Sequence, residues 1–357
     1  MSRLMSVVAV SALLSGCSGA SSAPWEPPSA PEAQMVTAFG RPVPSGEHIK
    51  LQAAEQLRSV DPCGVLNLDS LSRLGEVMTA GPSRALSECV VNVAVAGQSL
   101  PGTVKVDLAA NGPSPDDETL DIAGETVAFD TLLSTGYSCH YQVPVKFPAT
   151  PAPMSGTETE GPDIVELPPV PYMSVSASNF RSVDGGQCAV AQEVVAGILT
   201  TFAEDRVPRR NRAPVGVPLA ERSPCELMER FPSEFPVERF DATTAPYECK
   251  LWVGGEIVGV YFKAEDGDSA MRPVSGQRAE TIAGYPVLAS EDDWPGGPKC
   301  VFNFAVGPVY DGSRPGSAGP GWVRDDARVQ PTAQVNGPCE PVRAVMPAAL
   351  ELFGANR

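Results

Sequence analysis

Two stretches decide the fold: residues 188–202, CAVAQEVVAGILTTF, and residues 339–353, CEPVRAVMPAALELF. Each opens on a cysteine, closes on a phenylalanine fourteen positions later, and carries apolar residues at helical spacing between them. Ala191, Val194, Val195, Ile198 and Phe202 recur as Val342, Val345, Met346, Ala349 and Phe353, one apolar stripe written twice. Pro347 predicts a kink in the second helix only, because it removes a backbone donor from the helix interior.

Working back from these helices, the cysteines repeat as well. They fall at 63, 89, 139 and 188, then at 225, 249, 300 and 339, with intervals of 26, 50 and 49 against 24, 51 and 39. The neighbouring text agrees. Asp61-Pro62-Cys63 answers to Ser223-Pro224-Cys225, Glu88-Cys89 to Glu248-Cys249, and Ile122-Ala123-Gly124 to Ile282-Ala283-Gly284. A fixed order of signals given twice is the mark of an internal repeat. Between the paired signals, period-two alternation predicts strands: Cys89, Val91, Val93 and Val95 share one face, as do Cys249, Leu251 and Val253. Turn signals at Gly97–Gly102 and at Gly254-Gly255 lead to second strands at Gly102–Leu108 and Glu256–Phe262. Further strands are predicted near Glu125–Phe129, Ser138–Phe147, Tyr285–Ala289 and Lys299–Val306. Pro62 and Pro224 each precede a short helix, where a missing N–H costs least. The predicted fold class is α+β: two tandem modules, each a mostly antiparallel sheet flanked by helices and stapled by two disulfides.

The boundaries follow. Residues 1–16 read as a lipoprotein signal peptide, 17–50 as a lipidated tether rich in Pro and Ser, 51–205 as module 1 with a Pro-rich inserted loop at 144–171, 206–222 as a linker, and 223–357 as module 2. In the signal peptide, Arg3 supplies the positive end, Leu4–Leu14 an apolar stretch too short to span a bilayer, and Leu14-Ser15-Gly16 the cleavage approach. Leu-Ser-Gly-Cys17 has the form of a bacterial lipobox, in which the Cys17 thiol takes a diacylglyceryl group. Two or more acyl chains at about 0.8 kcal/mol per buried methylene hold a protein stably on a membrane.

The remaining eight cysteines belong to an oxidising compartment and show no zinc-type C-x-x-C pair, so they are read as bridges and not as metal ligands. If each module closes on itself, three pairings per copy remain. The preferred set joins Cys63 to Cys89, Cys139 to Cys188, Cys225 to Cys249 and Cys300 to Cys339, because each bridge then ties a helix start to a strand in the same way twice. On the loop-entropy account each contributes about 3–4 kcal/mol.

Composition excludes some partners. A formal charge of −17 at pH 7, without clustered cations, argues against nucleic acid. The 37 prolines and 33 glycines predict much loop. Arg206, Arg209, Arg210 and Arg212 read as a solvated linker, with contact to anionic lipid headgroups the sharper alternative. Catalytic constellations are poor. His48 falls in or beside the tether, and His140 follows an expected cystine and is replaced by Val301 in the other copy. Gly97-Gln98-Ser99-Leu100-Pro101 misses the second glycine of a nucleophile elbow. Asp116, Asp117, Glu118 and Asp121, and Glu291, Asp292 and Asp293, lack calcium-loop spacing and read as solvated acidic segments. Trp252, Trp294 and Trp322 are read as packing residues first, with a binding platform second.

The order Pro-Cys-x-x-Leu, a cysteine in a strand, and a late cysteine opening a terminal amphipathic helix, behind a lipobox, resembles the actinobacterial lipoprotein family built on domain of unknown function 3558. Pro62, Cys63, Leu66, Cys89 and Cys188 carry the pattern, and Pro224, Cys225, Cys249 and Cys339 carry it again with the leucine one place early at Leu227. The resemblance implies a cell-envelope lipoprotein without an assigned activity. The expected function is therefore a non-catalytic lipoprotein on the extracytoplasmic face of the cell membrane, using no cofactor and no metal. It would bind a small or lipidic ligand, in a cleft between the modules, or a partner protein of the envelope. Two other readings stand beside it: a cell-wall hydrolase using Asp116, Asp117, Asp292 and Asp293, and a structural spacer.

Overall fold

Each of the paired sequence signals builds the same piece of sheet. In the first half of the chain the strands are β3 (Glu76–Gly81), β4 (Glu88–Ala94), β5 (Gly102–Ala110), β6 (Glu118–Ile122), β7 (Glu125–Phe129), β8 (Ser138–Pro144) and β9 (Tyr172–Ser178), in a sheet of order β3-β4-β5-β9-β8-β7-β6. In the second half β10 (Val237–Asp241), β11 (Glu248–Val253), β12 (Glu256–Asp266), β13 (Gln277–Ile282), β14 (Tyr285–Trp294), β15 (Gly297–Ala305) and β17 (Arg328–Pro338) have the order β10-β11-β12-β17-β15-β14-β13, with the short β16 (Tyr310–Asp311) paired to β17. Strand for strand this is one order, and every ladder is antiparallel. These relations come from a computed structural model that describes residues 35–82, 85–110, 112–147, 171–212, 217–241, 245–267, 269–294, 297–311 and 328–354. The signal peptide, Cys17, residues 17–34 of the expected tether, most of the Pro-rich loop and Trp322 lie outside those residues.

The alternation read from sequence is the alternation of burial. Cys89, Val91 and Val93 of β4, and Cys249 and Leu251 of β11, are completely buried, while their sequence neighbours are half-exposed. Across each sheet lies its closing helix, α3 (Gly186–Ala203) or α4 (Cys339–Phe353). The stripe of α4 is buried at every predicted position, and the helix is continuous through Pro347. In α3, Val194 is only partly buried while Ala191, Val195 and Ile198 are fully so. Four bridges join Cys63 to Cys89, Cys139 to Cys188, Cys225 to Cys249 and Cys300 to Cys339, with Cα separations of 5.0, 5.1, 5.2 and 4.7 Å. The repeated Ala-Gly dipeptide also has a structural meaning. Ala123 and Gly124 stand at φ 53° and 81°, Ala283 and Gly284 at 50° and 83°, between strands paired Ile122 to Glu125 and Ile282 to Tyr285. Two positive φ angles in a two-residue loop match the twist of a tight antiparallel hairpin, and both halves place a strained alanine at the first of them.

Residues 35–50, assigned to the tether from their composition, are folded instead. Strands β1 (Met35–Ala38) and β2 (Arg41–Pro44) pair as a small hairpin, and α1 (Ser45–Ser59) follows at once. This segment packs on both halves. Val43 and Leu51 join the apolar core of the second half, whereas Leu57 and Val60 join that of the first. Residues 35–357 accordingly close into one unit.

The arginine-rich linker is packed as well. Val60 bridges to Arg209, and the Asp61 amide donates to the Pro208 carbonyl at 2.9 Å. Arg209 donates to Ser59 Oγ, and Arg210 donates to the carbonyls of Arg58 and Leu86 while stacking 5.7 Å from the Tyr247 ring centre. Arg58 in turn donates to the Pro246 carbonyl at 3.0 Å, and the Tyr247 hydroxyl donates to the Ala220 carbonyl at 2.9 Å. Burial pushes the Arg58 pKa down and the Tyr247 pKa up, as expected where charge is kept from water. A chain of hydrogen bonds thus runs from the first half through α1 and the linker into the second. Solvation, the simpler reading of these arginines, holds for Arg206, which pairs with Glu204 at the surface.

Candidate ligand cleft

The bridge Cys63–Cys89 fixes the start of the first half, and a short helix, α2 (Leu68–Ser72), follows it. Asn67 caps α2 by accepting from the Ser70 amide at 3.1 Å. Arg73, just beyond it, reaches Glu193 of α3 at 3.0 Å. Between the two helices lies a cleft of about 270 Å³, close to the lower end of ligand-pocket volumes. Val65, Leu71, Leu74, Val190, Val194 and Gly197 form its apolar wall.

The polar groups around this wall are already engaged. Thr200 and Thr201 donate to the carbonyls of Ala196 and Gly197 one turn back, both at 2.9 Å. Ser70 Oγ accepts from Arg73, Asn67 is the helix cap, and Arg206 holds Glu204. Each of these groups keeps further bonding capacity, the threonine oxygens as acceptors and the Asn67 amide and Ser70 hydroxyl as donors, so the cleft offers an apolar wall with a polar rim. Such a lining suits a small amphipathic group, apolar along one side and polar along the other. It lies within the first half, so it is not the groove between modules that the duplication suggested.

A second, shallower hollow in the other half is edged by Trp252, Glu256, Ile257 and Lys299. Lys299 is paired with Glu256, and Arg239 stacks 4.3 Å from the Trp252 ring centre. Trp252 is half-buried beneath that guanidinium, as a packing residue would be.

The other sequence candidates are not brought together. Asp116 is exposed ahead of β6, where Asp117 accepts from the Ser114 amide at 2.8 Å, and Asp121 accepts from the Gly124 amide in the hairpin turn. Glu291, Asp292 and Asp293 are exposed on β14 of the other half. Glu291 approaches Cys300 and Cys339, but those sulfurs form a bridge and the carboxylate pairs with Arg343 at 3.0 Å. Ser99 is exposed in the turn between β4 and β5. His48 lies in α1 and not in a tether. His140 stands on β8, half-buried, and burial lowers its pKa, with Asp130 opposing the shift and Lys105 adding to it.

The cleft itself was not read from sequence. Its helix α2 carries only Leu68 and Leu71, too short a run for a helical period to show, and Val194 falls in the apolar stripe of α3. The usable signal was Gly197, an exposed small residue of α3 where the second copy has Ala348. No protein-family model, curated protein or solved structure matches the chain.

Proposed function

We propose that this protein is an exported, lipid-anchored lipoprotein of the cell envelope, of the family built on domain of unknown function 3558, that holds a small amphipathic ligand in the cleft between α2 and α3. The chain is two copies of one module. Two seven-strand sheets of one order support this, as do bridges at matching places and the twin Ala-Gly turns. The lipobox at Cys17 supports the anchor. Ligand binding rests on a single observation, a cleft of about 270 Å³ between α2 and α3 whose lining joins an apolar wall of Val65, Leu71, Leu74, Val190 and Val194 to a polar rim. The hydrolase alternative gains no support from its four carboxylates, which are divided between the halves on exposed segments.

The test is native mass spectrometry of protein purified from membranes, compared with Val194→Trp, a substitution that fills the cleft. Retained ligand mass in the parent that the variant lacks is the expected result. If neither form carries or takes up a single-chain fatty-acid probe, the ligand reading fails. Labelling with radioactive palmitate, lost in Cys17→Ser, checks the anchor separately.

A further inference from the structure

The connection between β7 and β8, residues 130–137, displays apolar side chains that the fold does not use. Leu132 is 85% exposed, Tyr137 59% and Leu133 56%. Leu100, 63% exposed, sits in the β4–β5 turn. The register places both connections at one end of the sheet, since Thr103 at the start of β5 faces Ser178, and Ser178 faces Ser138 at the start of β8.

This loop is held from within. Asp130 accepts from the Leu133 amide at 2.9 Å through its side chain and from the Ser134 amide at 3.0 Å through its carbonyl. The Thr135 amide donates to the Ser138 carbonyl at 2.8 Å, and the Tyr137 amide to Thr135 Oγ1 at 3.2 Å. Gln187 donates to the Gly136 carbonyl at 2.7 Å, and Ser138 Oγ to the Leu133 carbonyl at 3.3 Å. Backbone groups that are satisfied internally lose little on leaving water, whereas outward leucines gain by it. Beside them Arg181 stacks 4.1 Å from the Tyr137 ring centre, a pairing suited to the headgroup layer, where tyrosine and cations collect.

From this geometry we propose that the β7–β8 tip is a membrane-contact element. Leu132 and Leu133 enter the acyl boundary of a bilayer, and Tyr137 with Arg181 lies at headgroup level. Layering separates this from a protein interface. The two outward leucines lie on the same loop as Tyr137 with its stacked Arg181, an order of apolar tip and aromatic–cation collar that matches the depth profile of a bilayer interface. The formal charge of −17 opposes strongly anionic surfaces, so insertion and not charge provides the attraction. The lipid at Cys17 is not a premise here.

Full-length chain carrying Cys17→Ser, and so without a lipid, is sedimented with phosphatidylcholine vesicles. Binding is expected, and the double variant Leu132→Asp, Leu133→Asp weakens it at least about tenfold. In a parallel sample, Leu132→Trp gives blue-shifted emission on adding vesicles. Absence of binding by the parent, equal binding by the double variant, or no spectral shift overturns the proposal. So does light scattering that shows a dimer dispersed by the double variant, because the tip then serves a second copy of the chain.

Discussion

Arg210→Ala tests whether the two halves unfold as one. In the folded protein this guanidinium donates to the carbonyls of Arg58 and Leu86 and faces the Tyr247 ring. A hydrogen bond from a charged donor contributes about 1.5–3 kcal/mol. Because Arg210 is only half-buried, the lower figure applies to each bond, and the substitution costs about 3 kcal/mol in total. What that does to the melting temperature depends on the size of the cooperative unit. At an unfolding entropy of about 2.1 cal/mol/K per residue, roughly 320 residues melting together give about 0.67 kcal/mol/K and a fall of 4–5 °C. If a single half of roughly 160 residues melts alone, the same loss lowers its midpoint by about 9 °C. Scanning calorimetry on the oxidised protein distinguishes the two. The shared helix α1, with Leu51 in one core and Leu57 in the other, leads us to expect one transition and the smaller shift. Two resolved transitions in the parent, with only one moved by the substitution, would refute the coupling.

His140 is a second point of attack. Its folded pKa is depressed by burial, so stability is intact above the unfolded value of about 6.5 and is lost as pH falls through the folded value, the unfolded chain taking up the proton first. His140→Val, the residue found at Val301 in the other half, flattens that decline, and thermal melts at pH 7 and pH 5 measure it. At the twin hairpins, Ala123→Asn relieves a left-handed alanine and raises stability by about 0.5–1 kcal/mol in urea denaturation, with no gain if the turn is otherwise built. Replacing Cys63 and Cys89 together by alanine frees a 26-residue loop and costs about 3.5 kcal/mol. A loss near zero would show that the bridge does not restrain the unfolded chain.

The repeat was legible because its signals are local. A cysteine before a helix, alternation along β4 and β11, and an Ala-Gly turn each work within a few residues. The central strands were harder. In β9, Met173, Val175 and Ala177 are fully buried, but the serines between them lower the hydrophobic contrast, and a long Pro-rich stretch precedes them. In β17, Pro331 and polar residues such as Gln330, Thr332 and Gln334 look like loop, yet the strand is paired on both sides along much of its length. The N-terminal hairpin was missed for a different reason. Val43 earns its burial against the far half of the chain, a contact that no window of neighbouring residues encodes.

That long-range contact also bears on why a cleft exists in one half. Four positions past the first cysteine of each half stand Asn67 and Glu229. Asn67 lines the open cleft. Glu229 instead lies against the turn of the N-terminal hairpin, where a side chain added at Gly40 would meet it at 3.4 Å. Ala38 and Phe39 of the same hairpin pack on the second core. So the second half is covered at this corner by the chain's own beginning, and its short helix, the 3-10 turn Pro224–Arg230, buries Leu227 and Met228 below that cover. Among the described residues no second hairpin packs at the matching corner of the first half. Within those residues, then, the hairpin covers this corner of the second half, while the matching corner of the first half is the cleft between α2 and α3.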